Sequence, residues 1–179
     1  MKTKAPRFEE VAETASDIVR RAADLKSAAP ELITYLCGRF DCQWGTYWHV
    51  DEIKHVLVPA FFWSNESVPA EKLRKDTASR SLTLSEGTAG HVWRTGVPVC
   101  TDKIVRDMCL PRSLDASGVG LRGGIWFPIH TDTGTFGVVE LLGRHGWSCD
   151  QGVIEKLRLL GLALGEACRR VNHEVAHLD

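Results

Sequence analysis

With 179 residues, 44% of them hydrophobic, the chain is long enough to bury one core without help from metals or cross-links. Its 22 Lys and Arg against 23 Asp and Glu leave a formal net charge of -1, so no strong field exists to attract a phosphate backbone or an anionic lipid surface, and neither nucleic acid nor membrane is expected as a partner. No run approaches the roughly 18 apolar residues of a membrane span and no apolar stretch follows the N-terminus, which predicts a cytoplasmic protein. The six cysteines lack close C-x-x-C pairs and are then expected as reduced thiols.

Phe8, Val11, Ala12, Ala15, Ile18, Val19, Ala22 and Leu25 recur at three- and four-residue steps, the period of an amphipathic helix over 7–27. Pro30 is expected to interrupt it and to open a second helix with Leu32, Ile33, Leu36, Cys37 and Phe40 on one side. Residues 42–50 then switch to β-formers and aromatics, and Asp51-Glu52 makes a polar turn into a second strand at 56–63, a hairpin. A short helix follows at 68–79, opened by Pro69, then a brief strand at 81–84 and a helical turn or two at 89–95 between Gly87 and Gly96.

A strand at 97–101 leads into a long irregular or partly helical crossing at 102–120. Two firm strands, 124–130 and 136–142, are joined through Thr131-Asp132-Thr133-Gly134 as an antiparallel hairpin. From Asp150 onward, Ile154, Leu157, Gly161, Leu164, Cys168, Val171 and Val175 form an a/d-like seam. A second row of Leu160, Ala163 and Ala167 widens it, so this helix is expected to touch both its own sheet and another helix. No strand–helix–strand repeat dominates, and the order predicts an antiparallel α+β domain.

Residues 86–99 (EGTAGHVWRTGVPV) with Asp102 after them, residues 120–129 (GLRGGIWFPI) and residues 137–141 (GVVEL) resemble, in order and spacing, the GAF domain family. The resemblance spans about 30–170 and is greatest to modules found beside histidine kinase, diguanylate cyclase and PAS domains in bacteria. It implies a GAF-like (profilin-like, PAS-like) antiparallel sheet of five or six strands, the N- and C-terminal helices on one face, and short helices with a small-molecule pocket on the other, under the 102–120 crossing. It further implies a division into 1–29, a dimer or signalling helix, 30–170, the domain proper, and 171–179, the end of the C-terminal helix. The function implied is a non-catalytic sensory or regulatory module of a signal-transduction protein, of the two-component kind. Such a module binds an unidentified small molecule, pairs into a homodimer through its terminal helices and drives a histidine kinase or diguanylate cyclase output domain; the resemblance names no cofactor.

Asp107-Met108-Cys109-Leu110 resembles the Asp-x-Cys-Phe element of bilin-binding GAF photoreceptors, with Leu110 in place of Phe. None of the six cysteines precedes a histidine, so the main attachment pair of those proteins is missing. A bilin photoreceptor or a thiol redox sensor acting through Cys109, with Arg106 and Arg112 nearby to favour a thiolate, stands as one alternative. A ligand-free dimerisation module is another. His173-Glu174-Val175-Ala176-His177 matches H-E-x-x-H, but no third ligand follows it, and chance explains so permissive a pattern; no metal is expected. His91, beside Gly90, is a conceivable haem ligand, although a lone histidine is more often structural.

Six tryptophans are many for this length and can fill or line a cavity. Glu140, among Val138, Val139, Leu141 and Leu142, would be an unusual carboxylate if it points inward. The expected ligand-binding set is therefore Trp48, Phe62, His91, Cys109, Arg112, Trp126 and Glu140.

Overall fold

The computed structural model describes residues 6–104, 111–147 and 149–176, with side chains described for 6–104, 115–147 and 149–171. Helix α1, Phe8–Arg21, buries Phe8, Val11, Ala15, Ile18 and Val19. It stops earlier than its apolar period predicts, because Ala22 turns extended and Asp24 restarts the chain as the cap of α2, Leu25–Phe40. The Asp24 carboxylate accepts bonds from the Ser27 amide at 2.7 Å and the Ser27 hydroxyl at 2.8 Å, satisfying a donor that a helix start leaves orphaned. Pro30, expected as the break, lies inside α2. It removes one backbone donor close to the helix start, and burial of Ala28, Ala29, Leu32, Ile33 and Leu36 outweighs that loss.

The Ser27 amide holds the Asp24 carboxyl below its ordinary range. A depressed carboxyl contributes stability that is present above the unfolded value, about 3.9, and is lost as pH falls through the lower folded one. Asp24→Ala is expected to cost about 1 kcal/mol at neutral pH, with the gap to wild type closing in acid. Urea unfolding at both pH values checks this, and equal midpoints at neutral pH would remove the cap from the account.

The strands β1 (Trp44–Asp51), β2 (Val56–Ser64), β3 (Val99–Thr101), β4 (Gly123–His130) and β5 (Thr135–Gly143) form one sheet in the order β2-β1-β5-β4-β3. Every pairing is antiparallel, as expected. The brief strand expected at 81–84 contributes a single bridge, Leu82 to Leu57. Tyr47 faces Phe61 while Trp48 faces Pro59, so Ala60 is an extra residue on β2 and forms a bulge. Between the strands lie α3 (Glu71–Ala78), α4 (Gly87–Thr95) and α5 (Pro111–Gly118), and α6 (Gln151–Ala176) follows the sheet.

The two-residue period of the strands sorts side chains onto two faces. Tyr47, Ile125, Phe127, Ile129, Val139 and Leu141 meet Leu32, Ile33 and Leu36 of α2 and Leu157, Leu160 and Leu164 of α6. The terminal helices thus cover this first face, and α6 packs on both β4 and α1, as its two apolar rows indicate. On the second face Trp44, Trp48, Trp126, Val138 and Leu142 are buried with Leu73 of α3, Ala89 and Val92 of α4, and Ala116 of α5.

The expectation of reduced thiols throughout is corrected here. Cys100 in β3 and Cys149, just before α6, form a disulfide with Cα atoms 5.5 Å apart. The sheet places edge strand β3 beside the connection into α6, and so joins residues 49 positions apart in sequence. Cys37, Cys42 and Cys168 are free and buried, and Cys109 lies outside the described residues. Among the described residues no helix is long and apolar enough to cross a membrane.

Candidate functional site

One polar row crosses three strands in the middle of the second face. The register sets Thr46 of β1 opposite Glu140 of β5, and Glu140 opposite Trp126 of β4. Glu140 has 0% of its surface exposed. Such burial is costly for a carboxylate unless its oxygens are bonded. Its Oε1 accepts from the Thr46 hydroxyl at 3.1 Å and its Oε2 from Trp126 Nε1 at 2.9 Å. The Thr46 hydroxyl in turn accepts from Trp44 Nε1 at 2.9 Å. Two indoles, one hydroxyl and one carboxylate therefore form a continuous hydrogen-bonded chain inside an otherwise apolar layer.

Local sequence explains the geometry. Trp126 lies flat along its own strand because Gly124 leaves room for it; a Cβ there would strike the indole. Phe62 stacks on Trp44, with centroids 5.6 Å apart and planes 11° from parallel. The Arg74 guanidinium lies over Phe62 at 5.9 Å and bonds the Ser64 hydroxyl. Above the row, α3 is joined to α5 by Lys72 and Asp115 at 2.6 Å.

Of the expected binding set, Trp48, Trp126 and Glu140 are fully buried on this face, and Phe62 is half-buried against the same cluster. His91 does not join them. Ala89, Gly90 and Val92 take the inward positions of α4, which turns His91 out to solvent, where its Nδ1 pairs with Arg94 at 3.1 Å. Cys109 and the Arg112 side chain lie outside the described residues, as do the side chains of His173 and His177. Thr46 and Trp44 were not anticipated. The signal for them is present, because a period of two from Trp48 puts both on its face.

The described free thiols are on the opposite side of the sheet. Burial pushes Cys37 and Cys42 up and Cys168 up to about 12, so none is a ready nucleophile. Among the described residues no cluster of three or more His, Cys, Asp or Glu could hold a metal. A cavity of about 250 Å³ opens on the first face among α1, α2, β1 and α6, lined in part by Asp24, Lys26, Tyr47, His49, Phe136 and Cys168. There the Tyr47 hydroxyl donates to the Phe136 carbonyl at 3.2 Å and pairs with Nδ1 of His49 at 3.1 Å. Burial first, then Lys26, holds His49 below the ordinary imidazole range.

Comparison with known proteins gives a family model, described as GAF domain, that matches residues 22–167. The fold is similar to that of free methionine-R-sulfoxide reductase from Neisseria meningitidis in complex with its substrate, at 18% identity and a TM-score of 0.69, covering 97% of both chains. It is similar to the GAF domain of a phosphoenolpyruvate-protein phosphotransferase from Coxiella burnetii, at 14% identity and 0.69, covering 97% of this chain and 99% of that one. A GAF domain from A. aeolicus in an inactive state is similar at 13% identity and 0.64, covering 89% of this chain and 94% of that one. At such identities the likeness is one of fold. No curated protein matches the chain.

Proposed function

This chain belongs to the GAF domain family over residues 22–167, and from that premise we propose that it is a non-catalytic sensory module of a cytoplasmic signalling protein that binds a small molecule on the second face of its sheet. The observation that carries the reading is the buried row Trp44–Thr46–Glu140–Trp126. A polar chain inside an aromatic layer provides the few fixed polar groups and the apolar walls of a small-molecule site. Trp48, Trp126, Glu140 and Phe62 are the described members of that site, and Cys109 and Arg112 belong to the proposal by the sequence resemblance alone.

Occupancy would be reported through the terminal helices. Helices α1 and α6 leave a shallow groove with Ala12, Ser16, Ala163 and Ala167 at its base and Glu13, Arg20, Glu166 and Arg170 at its margins. Small residues edged by both signs of charge suit pairing with a second copy, and we place the homodimer there, transmitting to a histidine kinase or diguanylate cyclase output domain.

Native mass spectrometry of protein isolated from its own host tests the reading. The expected spectrum is a dimer carrying an added small mass that a Trp126→Ala variant retains less well. A dimer without added mass would instead favour the ligand-free dimerisation module, its second face filled by its own aromatics, and a monomer would overturn the pairing. Incubation with free methionine sulfoxide and a thiol reductant is expected to yield no methionine; steady methionine formation would overturn the non-catalytic part of the proposal. A visible absorption band after co-expression with bilin, abolished by Cys109→Ala, would establish the photoreceptor alternative.

A further inference from the structure

We propose that Cys100 and Cys149 form a reversible thiol–disulfide exchange site, open to a dithiol reductant, whose state sets how firmly edge strand β3 is tied to the start of α6. It goes beyond the sensor reading and does not depend on any ligand.

The position of the bond carries the inference. Strand β3 is three residues long, lies at the sheet edge and pairs only through Val99, Cys100 and Thr101. It runs directly into residues 102–104, where the Ile104 amide donates to the Arg122 carbonyl at 2.8 Å. At the other end of the bond, Cys149 stands next to Asp150, whose carboxylate accepts from the Val153 amide at 2.9 Å and so caps α6. Helix α6 packs on β4 and covers the first face of the sheet. One covalent bond therefore links the sheet's edge strand to the chain that enters this helix. A three-residue edge strand makes few backbone bonds, and such elements open at low free energy.

The chemistry is accessible. Cys149 is exposed and Cys100 half-buried, so an incoming thiolate reaches the Cys149 sulfur. Attack there forms a mixed disulfide, breaks the Cys100–Cys149 bond and leaves its electron pair on Cys100 Sγ, which takes up a proton. The second thiol of the reductant then displaces Cys149 and closes the reductant's own disulfide. Two electrons and two protons pass to the protein, giving two thiols, and an oxidised dithiol reverses the reaction. In a reducing compartment, a bond with one exposed sulfur serves as a switch rather than a permanent staple. Cys37, Cys42 and Cys168 are buried and do not compete.

The test uses the whole chain, oxidised or reduced with dithiothreitol, then alkylated in the folded state and mapped by mass spectrometry. Oxidised protein should yield a linked 100–149 peptide, and reduction should make both sulfurs alkylatable while Cys37, Cys42 and Cys168 stay protected. Hydrogen exchange at residues 99–101 and 151–155 should quicken roughly tenfold on reduction, and a Cys100→Ser, Cys149→Ser double variant should exchange at the reduced rate with or without reductant. A link from either cysteine to Cys109, a bond that dithiothreitol leaves intact in the folded protein, or exchange indifferent to redox state would each overturn the proposal. Comparing the two redox states of the wild-type chain avoids reliance on a variant that fails to fold. Loss of the ligand-binding reading would leave these outcomes unchanged.

Discussion

Glu140→Ala is expected to lower the free energy of unfolding by about 3 kcal/mol or more, read as a fall in urea midpoint at constant slope. The substitution removes the acceptor of Trp126 Nε1 and of the Thr46 hydroxyl in a place from which water is excluded. Each buried donor left without a partner costs about 1–3 kcal/mol, and the emptied carboxylate volume adds a cavity term. Glu140→Gln distinguishes hydrogen bonding from charge. Its carbonyl can accept from Trp126 while its amide turns to the Thr46 oxygen, which already accepts from Trp44. The loss should then be nearer 1 kcal/mol. If Gln costs as much as Ala, the negative charge rather than the bond pattern is what the second face requires, and tryptophan fluorescence in the two variants should differ from wild type alike.

That row was half legible in the sequence. Glu140 stands out because a carboxylate interrupts an apolar strand, but its partner does not: carried on one-to-one from His130 and Thr135 beside the turn, the pairing would set Trp126 opposite Val139, and the register shift between Ile129 and His130 brings it opposite Glu140 instead. Thr46 and Trp44 sit on a strand whose place next to β5 is set by long-range topology, and no local pattern states it. His91 was drawn toward the site by its neighbour Gly90, when the helical period over Ala89, Gly90 and Val92 turns it outward. The disulfide had no sequence signal, since two cysteines 49 residues apart meet only through the sheet order. Pro30 misled because a proline usually marks a helix boundary, while here the acceptor side chain of Asp24 marks it six residues earlier.

The same glycine-to-alanine chemistry should have opposite signs at two helical positions. Gly38 in α2 has nothing within 4 Å of where a Cβ would stand, so Gly38→Ala gains the helix propensity of alanine, about 0.5–1 kcal/mol. Gly165 in α6 sits on β4, and a Cβ there would fall on the carbonyl oxygen of His130, with the His130 amide nitrogen at 3.1 Å. Gly161, one turn earlier, meets the Pro128 carbonyl in the same way. Strand β3 pairs with β4 only as far as Trp126, and α6 lies against the strand beyond that point. A backbone carbonyl cannot rotate aside as a side chain can, so a Cβ at Gly165 must lift the helix from the sheet or bend the strand. Gly165→Val is expected to cost about 3 kcal/mol, well beyond any propensity gain, and Gly165→Ala a smaller part of that. Thermal or urea unfolding of the three variants checks the order, and hydrogen exchange along 123–130 should rise in the Gly165 variants alone. A Gly165→Ala protein as stable as Gly38→Ala would mean that α6 rides on the sheet loosely enough to accommodate a methyl, and the close seat between helix and strand would have to be abandoned.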